Sequence, residues 1–146
     1  MAHNAKLELD NIFIVTTKLR RKLDAQIEAE LHYMGYKNFK SSYLPILIML
    51  YKEGNSVVNI AYEYGISKQA ISKLTAEMMG ESLLKTLVNK EDRRSVTIVL
   101  SAKGKRMAAE ARKCVSKLIE NYKTLIGKHK YEIMQDSLLS LFAFHD

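Results

Sequence analysis

Apolar positions recur in steps of three and four along most of the chain, and one stretch departs from that period. Over residues 9–34, Ile12, Leu19, Leu23, Ile27, Leu31 and Met34 fall on one stripe, with Phe13 and Thr16 beside it. This spacing predicts an amphipathic helix of about seven turns. Globular helices usually run three or four turns, so one this long needs more than one surface to cover its stripe. Gly35 ends it and a short loop follows. The run YLPILIMLY is apolar nearly all round and predicts a helix buried on several sides. Ser41 or Ser42 caps this helix, and Pro45 sits in its first turn, where a missing N–H is tolerated. Gly54 stops it, with Asn55 and Ser56 as turn and next cap.

Residues 59–79, NIAYEYGISKQAISKLTAEMM, read as two short helices around a tight corner. Ile60, Ala61 and Tyr64 form one apolar edge. Gly65 supplies the left-handed conformation that the corner needs. Ile66 is expected to plug the corner, and Ser67 to cap the second helix. Ile71, Leu74 and Met78 give that helix its buried stripe. The polar side then holds Lys68, Gln69, Ser72, Lys73 and Thr75, with no acidic residue among them. A donor-rich face of this kind suits a major groove lined by base edges and phosphates, so the stretch reads as a helix-turn-helix.

The period then changes. Leu83, Leu84, Leu87 and Val88 read as one strand, residues 89–94 as a polar tip, and the β-branched run 95–100 as a second strand. Two strands with a charged tip, directly after such a helix, make a wing. Ser101 caps a further helix that carries Met107, Ala111, Cys114, Leu118, Tyr122 and Leu125. Gly127 and Lys128 break it, and a last helix carries Ile133, Met134, Leu138, Leu141 and Phe142. The predicted fold is mostly α with a small β-hairpin wing: a winged helix-turn-helix over residues 40–100, flanked by long helices at 7–34 and 101–146, all in one domain. A domain this small hardly needs three long stripes around its own core. The terminal helices are therefore expected to pack against those of a second copy, as a homodimer.

Composition adds little to this picture and removes several classes. At 146 residues, 47% apolar and 27% charged, the chain is a soluble globular type able to bury a core. Its net charge of +7 favours a polyanionic partner, nucleic acid before a membrane surface. Seven basic side chains against two acidic ones lie between Lys85 and Arg106, around the wing. The basic block Lys18, Arg20, Arg21 and Lys22 reads as a solvated helix face. One cysteine, Cys114, excludes an intrachain disulfide and falls at an apolar position, as a core residue rather than a redox sensor. Four scattered histidines have no ligand spacing, so no metal or other cofactor is expected. No phosphate-cradling glycine loop or paired nucleophile suggests an enzyme. No apolar run reaches membrane-spanning length, and the N-terminus lacks a signal-peptide layout. A cytoplasmic protein without a membrane partner is expected.

The stretch EDRRSVTIVLSAKGKRM, residues 91–107, resembles the wing and following helix of the MarR family of bacterial regulators. The family pattern Asp-x-Arg, strand, Leu-Ser/Thr and a helix with Lys-Gly is matched by Asp92, Arg94, Leu100, Ser101, Lys103 and Gly104. The helix-turn-helix and the long flanking helices stand in the family's order, so the resemblance covers essentially the whole chain. It departs after the recognition helix, where Gly80 is followed by Glu-Ser-Leu-Leu-Lys-Thr instead of Gly-Leu-Val. The resemblance implies an obligate homodimer on a near-palindromic duplex site, usually as a repressor, often released by a small effector. The competing reading is a winged-helix module that docks an acidic protein instead of reading DNA.

The expected DNA contacts are Ser67, Lys68, Gln69, Ser72, Lys73 and Thr75 on the recognition helix, and Lys90, Arg93 and Arg94 on the wing. Gln69 suits adenine, and Lys68 or Lys73 suits guanine or phosphate. One of Arg93 and Arg94 suits the narrow minor groove. Asp92 would be costly against phosphate and is expected to orient a neighbouring arginine, which by the family pattern is Arg94. Tyr33, Tyr36, Phe39 and Tyr43 cluster at the joint of the first two helices. Two readings stay open for them, the lining of a pocket for a small aromatic or apolar effector and plain core, core being the plainer.

Overall fold

The structure, a computed structural model, describes residues 11–88, 90–92 and 96–146. Its elements run α1 (Ile12–Tyr33), a 3₁₀ turn (Ser41–Tyr43), α2 (Leu44–Met49), α3 (Val57–Tyr64), α4 (Lys68–Gly80), β1 (Leu84–Val88), β2 (Val96–Leu100), α5 (Ala102–Ile126) and α6 (Lys128–Phe144). They form two compact units, one through Ala111 and one from Arg112 onwards, with α5 passing from the first into the second.

The core of the first unit is built from every element it contains. Ile27 and Leu31 come from α1, Ile46 and Leu47 from α2, Ile60 and Ala61 from α3, and Ile71 and Met78 from α4; Leu84, Ile98 and Leu100 add the base of the wing. Only the C-terminal part of α1 takes part. Its N-terminal half keeps its stripe in solvent, with Ile12 and Leu19 exposed and Phe13 79% exposed. Asn11 begins the helix, its Oδ1 accepting from the Ile14 amide at 3.2 Å. Gly35, at φ 100°, ends the chain's departure from it.

β1 and β2 pair antiparallel in the register Leu84↔Leu100 to Val88↔Val96. Leu83 stands outside the ladder and is fully buried. The strand pair gains a third member that the sequence reading took for a turn. Asn55 bridges Ile98, with its amide donating to the Ile98 carbonyl at 3.0 Å and the reverse bond at 2.7 Å. Gly54 serves this bridge rather than a helix end, since α2 already stops at Met49. A Cβ on Gly54 would lie 2.6 Å from side-chain atoms of both Thr97 and Val99.

The departure from the family pattern after α4 has a local solution. Ser82 takes φ 60°, the one non-glycine residue with positive φ among the described residues. This left-handed conformation costs an L-residue about 1–2 kcal/mol. The Ser101 hydroxyl donates to the Ser82 carbonyl at 2.6 Å, the Ser101 amide donates to the Leu83 carbonyl at 2.9 Å, and Lys103 Nζ reaches the Glu81 carbonyl at 2.8 Å. Ser101 also caps α5, accepting from the Gly104 amide at 3.0 Å. Gly104 closes the joint: a Cβ there would sit 2.0 Å from the Leu83 carbonyl oxygen.

In the second unit Cys114 and Leu118 are buried, which agrees with an apolar role for the cysteine. No residue of α6 is buried, and Leu138, Leu139, Leu141, Phe142 and Phe144 all stand exposed. No helix among the described residues is long and apolar enough to cross a membrane.

Candidate nucleic-acid interface

The corner between α3 and α4 forms as its residues dictate. Ser56 opens α3 by accepting from the Asn59 amide at 3.2 Å. Gly65 adopts φ 71°, ψ 31°, and its amide donates to the Ala61 and Tyr62 carbonyls at 3.0 and 3.2 Å. The Ile66 amide returns to Ala61 O at 3.2 Å, so the last carbonyls of α3 are satisfied as the chain turns. Ser67 Oγ then accepts from the Ala70 amide at 3.1 Å and starts α4. Ile66 is a weaker plug than expected, 38% exposed; the corner closes on Ile60, Ala61 and Ile71 instead.

Ser67, Lys68, Gln69, Ser72 and Lys73 are all exposed on α4, opposite the buried Ile71 and Met78. Thr75 is not among them. It is 3% exposed, and its hydroxyl donates to the carbonyls of Ile71 at 2.9 Å and Ser72 at 3.1 Å. The reason is helical phase: Thr75 follows Ile71 by four residues and precedes Met78 by three, so it belongs to the buried stripe. Its assignment as a DNA contact is therefore withdrawn. At the wing, Lys90 and Asp92 are exposed. Arg93 and Arg94 lie outside the described residues, and with them the expected Asp92–Arg94 pair.

Two acidic residues at the C-terminal end of α4, Glu77 within it and Glu81 as its C-cap, tie the helix down. Glu77 Oε1 accepts from the Tyr43 hydroxyl at 3.0 Å and pairs with Lys40 Nζ. Lys40 and then Tyr43 hold the Glu77 carboxyl below the usual range, with Lys73 adding to it. Burial first, and then Glu77, pushes the Tyr43 phenol up to about 12. One turn on, Glu81 Oε2 accepts from Asn38 Nδ2 at 2.9 Å. The available signal was a pair of carboxylates four residues apart on a helix otherwise dominated by donors. In the same way, Tyr64 and then the ion pair with Asp24 at 2.8 Å raise the Arg20 guanidinium.

The four aromatic residues at the first joint do not line one cavity. Phe39 and Tyr43 are fully buried and meet edge to face, centroids 6.4 Å apart. Tyr33 is 92% exposed. Tyr36 borders a cavity of about 230 Å³, with Asn38, Glu81, Lys103 and Met107 among its other walls. Two of the four have thus gone to core, because the segment that carries them is pinned from both sides.

Among solved structures, the chain superposes on the S. aureus MepR–DNA complex with a TM-score of 0.80 at 14% identity, over 91% of this chain and 97% of that one. It superposes on a MarR transcriptional regulator from Methanosarcina mazei Go1 with a TM-score of 0.76 at 21% identity, over 92% and 95%. The fold is that of the MarR-type winged-helix regulators. A third MarR-type likeness, to the transcriptional regulator BldR from Sulfolobus solfataricus, spans 98% of both chains at 20% identity and a TM-score of 0.72. No family model and no curated protein matches the sequence. The MarR-type fold accounts for the order of the helices among the described residues and for the hairpin after α4.

Proposed function

We propose that this chain is a sequence-specific, double-stranded-DNA-binding transcriptional regulator, a repressor that acts as a homodimer on a near-palindromic site. The observation that carries the reading is the exposed Lys68, Gln69, Ser72 and Lys73 face of a rigidly capped α4, followed at once by a hairpin with a basic tip. The MepR structure of the same fold is a DNA complex. The apolar residues left exposed on α1, and separately those on α6, support a second copy as partner, since apolar patches bare in the lone chain mark interaction sites. Two copies on one duplex face place their recognition helices about 34–36 Å apart. An effector that changes this spacing by a few ångströms removes one half-site fit and releases the DNA.

Selection of bound duplexes from a random pool tests the reading directly. A palindromic consensus with half-sites one helical turn apart is the expected result, and recovery of no consensus rejects it. On the selected site, Gln69→Ala is expected to relax preference at one base position per half-site, a loss of about 1–3 kcal/mol of discrimination. An equal loss on every duplex assigns Gln69 to the backbone instead. Arg93→Ala with Arg94→Ala is expected to weaken binding to all duplexes and to flatten the dependence of log affinity on log salt, because fewer counterions are released. An unchanged slope removes the wing from the interface.

A further inference from the structure

Residues 35–43 run between α1 and α4, and both helices hold them through the same device, two polar side chains one turn apart. On α1, Glu28 Oε1 accepts from the Ser41 amide at 2.7 Å, and His32 Nε2 bonds the Phe39 carbonyl at 2.8 Å. The Tyr36 amide also donates to Leu31 O at 2.9 Å. On α4, Glu77 takes Lys40 and Tyr43, and at the helix C-cap Glu81 takes Asn38. The attachments alternate along the chain: the side chains of Asn38 and Lys40 turn to Glu81 and Glu77, and the backbone of Phe39 and Ser41 to α1. Lys40, between a turn at 37–38 and the 3₁₀ turn, is extended at φ −122° and ψ 143°. Phe39 and Tyr43 are buried, so the segment is anchored by core packing as well as by hydrogen bonds.

We propose that this segment is a strap that couples the orientation of α1 to that of the recognition helix, with Glu28 and Glu77 as its two positioning residues. The 3₁₀ turn touches both helices, whereas α1 and α4 make little direct contact with each other. A rotation of α1 therefore reaches α4 through the strap. Glu77 does this through the Tyr43 phenol, which is too deeply packed to follow one helix and leave the other. Hydrogen bonds to ionised carboxylates are the stronger kind, and four separate attachments make the strap stiff in both directions. Its consequence for DNA reading rests on the function proposed above; the coupling itself does not.

The test uses the full chain and two readouts. Glu28 lies on α1 and accepts from the Ser41 amide, and Glu28→Ala is expected to speed amide hydrogen exchange within residues 68–80 about tenfold, with the β1–β2 ladder unchanged. Glu28→Gln, which keeps an acceptor oxygen for the Ser41 amide, is expected to restore the slow rate. Tyr43→Phe, which keeps the ring in the core, is expected to produce the same effect on α4 more mildly. Unchanged exchange in α4, or equal acceleration over the whole chain, overturns the coupling. On the selected duplex, Glu28→Ala and Glu77→Ala are each expected to lower affinity several-fold, and the double variant to be no weaker than the weaker single one, since both cut one strap. Effects that multiply overturn it. A wild-type chain that binds no duplex ends the regulatory reading, and the exchange experiment still decides the strap.

Discussion

Gly104→Ala is expected to destabilise the fold by about 3 kcal/mol, at the upper end of what one added methyl group costs. The added Cβ would lie 2.0 Å from the Leu83 carbonyl oxygen. That oxygen cannot move aside, because it accepts the Ser101 amide and belongs to a fully buried residue next to the positive-φ Ser82. Relief requires the start of α5 to lift off the turn after α4. This would break the bonds from Ser101 and Lys103 and let the wing shift against the recognition helix. Thermal melting is the measurement, with the midpoint expected to fall by on the order of 10 °C for a chain of this size. A melting curve like that of the wild type would show that α5 and the 81–83 turn are not locked together.

The second large effect is expected from Leu138→Lys combined with Phe142→Lys on α6. Both side chains are exposed in the single chain, Leu138 at 47% and Phe142 at 68%, so neither belongs to its buried core. In the proposed dimer both are covered, and two uncompensated ammonium groups per chain prevent closure of the interface. Sedimentation equilibrium is expected to change from twice the chain mass to the 16.7 kDa of one chain. Affinity for the palindromic duplex is expected to drop about 100-fold or more, because the second half-site no longer binds at high effective concentration. The helical signal in circular dichroism should survive in the first unit, whose core does not involve these residues. A variant that still sediments as two chains would place the interface elsewhere.

Local signals carried most of the architecture into the sequence. Gly65, Ser67, Ser101 and Gly127 each act within four residues of their own position, through a cap or a left-handed turn, and each stands where its type predicts. The second wing strand declared itself by its β-branched run and the first by its leucines, while their register, Leu84↔Leu100 to Val88↔Val96, came from the structure. The exposed basic face of α4 also followed from periodicity. Its one error, Thr75, arose because a polar residue was sorted by its type rather than by its helical phase. Threonine can enter a buried stripe by returning its hydroxyl to the preceding turn, as it does here.

The features that stayed hidden depend on residues distant in sequence. Gly54 had the look of a helix stop, and only the approach of Thr97 and Val99 shows why no side chain fits there. Asn55 is a one-residue bridge, too short to leave a strand pattern. Glu77 and Glu81 gain their meaning from Lys40, Tyr43 and Asn38, some forty positions earlier. The fate of the four aromatic residues followed from the same links, which put Phe39 and Tyr43 in the core and left Tyr33 outside. Sequence alone thus determined which segments are helices, the caps at Ser56, Ser67 and Ser101, the corner at Gly65 and most of the α4 residues that face outward, because those depend on periodicity and nearest neighbours. The cap expected from Ser41 or Ser42 does not form: the chain enters α2 through a 3₁₀ turn, and neither that turn nor α2 has a side-chain cap. Tertiary structure decided what α1 and α4 share, where backbones come too close for a Cβ, and which apolar faces the single chain leaves bare. Those outcomes depend on distances between residues that the order of the chain does not record.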